Sequence, residues 1–554
     1  MAADFIKKSL NLLLRRQTNI LSAAFVIMGT TVLAQLLGLF KKRLLVAIFG
    51  ASNIVGVYDV ATKFPDTLFQ LIIAAAISSA FIPVFSNYLT SGKEKEGHEM
   101  ASNLLTVGVL LFTAFSLVLV IFAPAVLQFF NPGAGFSAAD MTLMVNLLRI
   151  IIVGQLIFVI GIFFSALLQS YNHFFVPGIA AATFNLGIIV GIITLAPFTG
   201  IYSAAYGIII GAFFYIIVQL PLVKKVGFSY KPNFSFKSEG IRDISKLMWP
   251  RTIAQAIFQL GSLLIISLLS FLPDTGRNYV IFDLAQTLAF APIALIGQAI
   301  AQAAFPVLAR EKDKLEDFKV TFLTSFNQMF YLILPISALL LVLRIPIVRL
   351  VFGAPKLDWP ATVLTGRTLA FFALSIFAQA LATLIYRAFY ALHDTKTPLI
   401  VGGVTTVLML ALGAGFIFFF HGSVITIALA YSIANIANFL VLLFLLERKV
   451  GGFNKLELFY SVLKTSISTA CMGVALYVPI KLLDRLVFDT TRTVNLLVLT
   501  GISSVIGLSL YLFLTWLFDV KEAQTFLLLF KRLGNWRDIL GKSGETISTT
   551  SSTH

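Results

Sequence analysis

Residues 140–170 read DMTLMVNLLRIIIVGQLIFVIGIFFSALLQS, a run in which Asp140 and Arg149 are the only charges. An α-helix rises 1.5 Å per residue, so about 20 apolar residues cross the hydrocarbon core of a bilayer. The run is continuous and rich in Leu, Ile and Phe, without the period-2 alternation of an outer-membrane strand. It reads as a membrane-spanning helix. Similar runs recur along the chain, and spans are expected at roughly 19–48, 56–88, 101–130, 140–170, 177–197, 202–223, 247–271, 281–308, 320–352, 361–390, 398–420, 423–446, 457–480 and 494–518.

The whole composition agrees with that reading. Of 554 residues 58% are hydrophobic and 12% charged, against about 45–50% and about 25% in soluble domains; mean hydropathy is +0.93. Water-exposed pieces are short, which leaves no room for a large soluble domain. Cys471 is the only cysteine, which excludes an intramolecular disulfide and a Cys-rich metal site. Lys7, Lys8, Arg15 and Arg16 precede a long apolar stretch with no small-residue cleavage site, as expected of a retained first helix.

Charge orients the chain. Fourteen spans put both termini on one side, and segments facing that side carry 25 of the 41 Lys and Arg residues. The opposite loops carry 5: Arg277, Lys356, Lys481, Arg485 and Arg492. Basic residues stay on the cytoplasmic side, so both termini are expected there. The same bias explains most of the net charge of +16 without nucleic acid.

The end of the quoted run also begins a repeat. Ser165-Ala166-Leu167-Leu168-Gln169-Ser170-Tyr171, leading to Pro177, is answered by Tyr386-Arg387-Ala388-Phe389-Tyr390-Ala391-Leu392, leading to Pro398. Tyr58-Asp59 and Phe81-Ile82-Pro83-Val84 are answered by Phe282-Asp283 and Phe305-Pro306-Val307, and Phe130-Asn131-Pro132-Gly133 by Phe352-Gly353-Ala354-Pro355. The offsets are 224 for the aspartates, 223 for Pro83 to Pro306, 222 for Phe130 to Phe352 and 221 for Pro177 to Pro398. The expected fold is all-α and polytopic, with two parallel six-helix repeats related by an axis along the membrane normal and two extra C-terminal helices. Residues 1–223 would form an N-lobe, 224–246 a cytoplasmic linker, 247–446 a C-lobe and 457–518 the added pair. The tail 519–538 reads as an interfacial amphipathic helix, and 541–554, rich in Gly, Ser and Thr, as disordered.

Such repeats point to a transporter with its site between the halves. Charges inside spans are costly and mark functional positions by default. Lys41, Lys42 and Arg43 in the first span, with Lys63 in the second, suggest a basic patch for an anionic headgroup. Adjacent residues point around a helix, so at most two of the three can face one cavity. The plainer alternative is snorkelling or pairing with Asp59 or Asp66. Arg251, after Pro250, and Arg387, near the cytoplasmic end of the tenth span, are further candidates, each also readable as an interfacial anchor. Arg344 and Arg349 read as snorkelling, and His393-Asp394 as a helix cap. Prolines 65, 83, 250, 292, 306, 335 and 346 are kinks or hinges. Gly541-Lys542-Ser543 lacks the earlier glycine of a phosphate-binding loop, and no His-Glu-x-x-His is present, so no nucleotide motor or metal site is expected.

Leu37-Gly38-Leu39-Phe40-Lys41-Lys42, Ile48-Phe49-Gly50-Ala51, Lys63-Phe64-Pro65-Asp66 and Ala80-Phe81-Ile82-Pro83-Val84 resemble the opening of the MviN/MurJ family, lipid II flippases of the MOP (MATE-like) exporter superfamily. Tyr386-Arg387-Ala388 through Asp394-Thr395-Lys396-Thr397-Pro398 is similar to that family's segment at the end of the tenth span. The resemblance covers essentially the whole chain. It implies flipping of the undecaprenyl-diphosphate-linked peptidoglycan precursor from the inner to the outer leaflet of the bacterial cytoplasmic membrane. The headgroup would enter a cationic cavity between the two lobes, for which the span charges Lys41, Lys42, Arg43, Lys63, Arg251 and Arg387 are the candidate binding residues, and the prenyl chain would follow a groove lined by the last two helices. Partners would be the lipid-linked diphosphate oligosaccharide, membrane lipids and the cell-wall synthesis machinery.

Departures from the family pattern are specific. Its first-span Arg-Asp pair falls on Lys41 and Lys42, reversing the acid, and its other first-span arginine falls on Gln35. Its paired second-span arginines fall on Phe69 and Gln70, and its glutamate on Ala74. Its eighth-span arginine has no basic counterpart near Gln286 and Thr287. The sodium site of some members needs acidic or amide ligands that 398–420 lacks, so no metal is expected. No cofactor is expected; membrane potential, about 2.3 kcal/mol per charge per 100 mV, or an ion gradient would supply energy, for instance to return an emptied cationic cavity. The other functions weighed are export of another lipid-linked polysaccharide, a MATE-type antiporter, which needs an acidic cavity, a glycosyltransferase, which needs carboxylates in long outer loops, and a scaffold.

Overall fold

The computed structural model describes residues 20–74, 81–133, 135–232, 252, 255–256, 259–486 and 493–524, and among these the chain is helical with no strand. The N-terminal half holds α1 (Ile20–Phe49), α2 (Asn53–Phe69), α3 (Ile82–Thr90), α4 (Glu94–Ile121), α5 (Ala123–Phe130), α6 (Ala138–Ser170), α7 (Phe175–Thr199) and α8 (Tyr202–Lys225). The second half runs from α9 (Gln259–Leu269) through α10 (Thr275–Pro292), α11 (Gln298–Arg310), α12 (Leu315–Val342) and α13 (Arg344–Phe352). It continues with α14 (Trp359–Ala373), α15 (Ile376–Ala391), α16 (Lys396–Phe420) and α17 (Val424–Lys449), before the added pair α18 (Lys455–Leu486) and α19 (Thr493–Leu517).

Ten described helices are long and apolar enough to span a membrane, or eleven counting α14 and α15, bent by 43°, as one. The expected spans outside that count are the first, second and seventh. α1 is present as an unbroken helix, and the second span, charged at Asp59, Lys63 and Asp66, is described at 53–74 and 81–90. Of the seventh, α9 is the continuous described helix, with residues 252, 255 and 256 before it also helical. Arg251, the N-terminal basic segment, most of the 224–246 linker and the tail beyond 524 lie outside the described residues.

Local chemistry sets the helix ends. Ser137 caps α6, accepting from the Asp140 amide at 3.2 Å while Asp140 Oδ2 accepts from the Ser137 amide at 3.0 Å. α6 stops at Tyr171, followed by Asn172 in the left-handed region (φ 61°); α15 stops before His393 (φ 56°), 221 residues on. There Asp394 Oδ1 caps α16 by accepting from the Thr397 amide at 3.0 Å. Burial raises the Asp394 carboxyl, but hydrogen bonds from Lys449 and Thr397 outweigh it and hold it down to about 2.

The halves share their irregularities. α2 runs into a π-helical turn at Gln70–Ala74 and α10 into one at Ile293–Gly297, again 223 residues apart. Such turns bend a helix where side chains must be re-aimed. Within the first half, Gly187 and Gly191 of α7 face Gly211 and Gly207 of α8, so that any Cβ would overlap the partner's backbone. This is the small-residue packing that lets helices associate in lipid, where burial from water supplies no drive. Buried polar side chains find partners too: Ser165 donates to Gln219 Oε1 at 2.9 Å, and Gln219 to the Gly161 carbonyl at 3.2 Å. The added pair docks on α12, where the Tyr511 hydroxyl donates to the Tyr331 carbonyl at 2.7 Å.

Candidate functional site

The two halves meet at the end of the bundle where α2 and α10 begin. The Gly276 amide donates to Asn53 Oδ1 at 3.1 Å, the Gly133 amide to Ser270 Oγ at 3.0 Å, and Ser267 to the Phe130 carbonyl at 2.8 Å. Gly56 and Gly276 lie backbone to backbone, closer than any side chain permits. That end is closed.

Behind the closure lies a cavity of about 460 Å³ between the halves, with a smaller one of about 150 Å³ beside it. Lys42, Lys63 and Asp283 line both, and Lys41, Asp59 and Asp66 line the smaller. The helical sweep that limits three adjacent cations shows directly: Lys41 and Lys42 face in, and Arg43 lines neither cavity. Arg387 is not brought to the cavity either; its guanidinium lies 5.8 Å from the centre of the Phe305 ring.

The expected basic patch needs correction. Three lysines stand with three aspartates, because the repeat-equivalent Asp59 and Asp283 enter the same space from the two halves. Lys42 donates to Asp283 Oδ2 across the interface, and to Thr287 Oγ1 at 2.7 Å. The partner is therefore neither Asp59 nor Asp66; the latter accepts from Gln155 Nε2 at 2.5 Å. Lys63 makes no salt bridge among the described residues. Lys42 stands where the resemblance puts an acid, and Asp283 lies in the span where it puts a base, so the reversal on α1 is answered on α10.

The C-terminal half supplies a face the sequence reading missed. Tyr386, Thr405, Tyr431, Asn435 and Asn438 line the larger cavity. Asn438 Nδ2 donates to the Tyr386 hydroxyl at 2.9 Å, and Thr405 to Asn438 Oδ1 at 3.0 Å. Positions 431, 435 and 438 follow the i, i+4, i+7 spacing of one helix face, a signal present in the sequence. One wall is thus cationic with matching carboxylates, and the facing wall is neutral, aromatic and hydrogen-bonding.

Two helical bundles joined at one end around a charged cavity define a membrane transporter of the paired-bundle kind. A "Probable lipid II flippase MurJ" of Buchnera aphidicola subsp. Schizaphis graminum is 27% identical over 460 residues, covering 82% of this chain and 88% of that one. A solved lipid II flippase MurJ in an inward closed conformation superposes with a TM-score of 0.73 at 23% identity, over 89% of this chain and 98% of that one. An inward-facing multidrug resistance MATE family transporter of the MOP superfamily gives 0.65 at 15% identity, over 77% and 98%. The family profile described as lipid II flippase MurJ matches residues 45–497, and the chain belongs to that family.

Proposed function

We propose that this chain flips lipid II, the undecaprenyl-diphosphate-linked peptidoglycan precursor, from the inner to the outer leaflet of the bacterial cytoplasmic membrane by alternating access. The observation that carries the reading is the lysine-lined cavity enclosed between the halves of a MurJ-family chain. Lys41, Lys42 and Lys63 bind the diphosphate as compact point charges. The neutral wall of Tyr386, Tyr431, Asn435 and Asn438 suits the hydroxyls and amides of a saccharide. The 25-to-5 distribution of basic residues supports cytoplasmic termini, and hence an outward placement of the closed end. The N-lobe and C-lobe swing about the cavity, while α18 and α19 offer apolar surface to the prenyl chain. No covalent step is involved. Membrane potential is the energy source this reading favours, and assembly with the cell-wall synthesis machinery would place the cargo where it is used.

The test is rescue of a bacterial strain depleted of its own lipid II flippase. Wild type should restore growth and shape; Lys42→Gln/Lys63→Gln, inserted to the same level, should not. A wild type that is well inserted and does not restore growth, and does not move lipid II in proteoliposomes, would overturn the reading.

A further inference from the structure

Lys42 belongs to the N-terminal half and Asp283 to the C-terminal half, and their ion pair is a polar bond between the halves inside the cavity. It lies behind the closed end, so it is made when that end is shut. Separating α2 from α10 to open the end pulls Asp283 away from Lys42. Both side chains are largely buried, with 25% and 14% of their surface exposed. A pair so placed loses much more when one partner is left alone than an exposed pair does. The empty carrier therefore resists opening at this end.

A diphosphate entering the larger cavity changes the balance. It meets Lys63, which has no salt bridge among the described residues, and Lys42, which is held by Asp283 and Thr287. A diphosphate oxygen can replace the Asp283 carboxylate on the Lys42 ammonium, since both are anionic acceptors of charge-assisted hydrogen bonds. We propose that Asp283 is a built-in counter-anion, a positioning residue that the cargo's diphosphate displaces from Lys42 and that returns after release. Displacement frees α10 from α1 and permits opening. Re-formation of the pair after release closes the emptied carrier and resets it. The inference rests on the diphosphate-cargo reading above and adds the residue that couples cargo to movement.

The test uses full-length protein, in sealed proteoliposomes with the closed end outward for labelling and in nanodiscs for binding, with Cys471 replaced by serine and Gln286→Cys, a cavity-lining position, as reporter. An impermeant maleimide applied at the closed end reports opening. Three probes are compared: inorganic pyrophosphate, farnesyl diphosphate and farnesol. Asp283→Asn should bind both diphosphates about tenfold tighter than wild type, equivalent to about 1.4 kcal/mol, and should label faster without any ligand. Lys42→Gln severs the same pair from the other side. It should also label faster while binding diphosphates more weakly, a reversal of sign that general damage to the fold would not produce. Pyrophosphate should match farnesyl diphosphate if the headgroup alone displaces Asp283; a response to farnesyl diphosphate alone assigns the displacement to a lipid-linked diphosphate. Response to farnesol would overturn the displacement by phosphate. If wild type binds neither diphosphate, the cargo reading fails, and unchanged ligand-free labelling of both variants would separately overturn the role of the pair. If wild type binds and Asp283→Asn binds no tighter, the counter-anion role is overturned while the cargo reading stands. Should Asp283→Asn not insert, Asp283→Ser carries the same expectations.

Discussion

Replacing Gly56 by alanine adds one methyl group where α2 meets the backbone of α10. A Cβ at Gly56 would overlap the Cα, carbonyl carbon and oxygen of Gly276. Backbone cannot rotate away as a side chain can, so α2 and α10 must part by a fraction of an ångström or more. Overpacking of this kind costs about 1–3 kcal/mol. The cost falls on the closed state alone, because the contact exists only while this end is shut. Alanine also raises the helix preference of α2 by about 1 kcal/mol over glycine, but it does so in both states and cancels from their difference. The closed-to-open ratio should therefore fall by about 5- to 150-fold. The assay is the labelling rate of Gln286→Cys in the Cys471→Ser background, with an impermeant maleimide added at the end where α2 begins. A rise of at least about fivefold is expected, with labelling from the opposite end reduced. Unchanged rates from both sides in a well-inserted protein would refute the claim that the Gly56–Gly276 contact closes the carrier.

Lys63→Gln should weaken binding of a lipid-linked diphosphate at least about tenfold and leave thermal stability in detergent near wild type, because no salt bridge among the described residues is broken. Lys42→Gln should lower both, because it leaves Asp283 without its ion pair. Gly187→Leu should lower the melting temperature by several degrees by prising α7 from α8, whereas Gly403→Leu, with no atom within 4 Å of its Cβ position, should not. Melting followed from pH 7 to pH 2 tests the cap on α16. The Asp394 carboxyl, which burial raises and the Lys449 and Thr397 bonds outweigh, is held down to about 2. Its contribution is therefore whole above the ordinary carboxylate range of about 4 and is lost as pH falls from there through about 2. Asp394→Asn should lose the part of the acid sensitivity that falls in that window.

What could be read from the sequence divides along the range of the interactions. Hydropathy placed the helices because a span must satisfy its backbone internally, and α6 at Ala138–Ser170 lies within two residues of its expected start. The repeat was legible because it is a spacing, and it extends to features no residue type announces: the π turns at Gln70–Ala74 and Ile293–Gly297 keep its offset. Lys41, Lys42 and Lys63 stood out as buried charge. The sign of their surroundings did not, since Asp283 reaches Lys42 across 241 residues and nothing local says which acid will face which base. The closure at Gly56 and Gly276 was hidden for the same reason: a glycine reports that space is short without saying what fills it. Arg43 and Arg387 were overcounted because charge in a span marks a cost and not a direction.

The three carboxylates would also change which stroke a membrane potential drives. A cavity of three unopposed lysines would carry +3 when empty and +1 with a doubly charged diphosphate, so an inside-negative potential would oppose export and favour return. With Asp59, Asp66 and Asp283 set against Lys41, Lys42 and Lys63, the empty cavity is formally neutral. Its return then moves no net charge, while the loaded cavity carries −2 and is pushed outward by about 4.6 kcal/mol per 100 mV if it crosses the full field. Export is then the step expected to be voltage-sensitive. Proteoliposomes carrying a potassium diffusion potential test this, because an inside-negative potential should accelerate outward flipping by wild type. Asp59→Asn/Asp283→Asn shifts the cavity by two charges, makes the loaded form neutral and should remove that acceleration. If wild-type export is insensitive to voltage, or the double variant keeps the full acceleration, the carboxylates do not set the charge that moves.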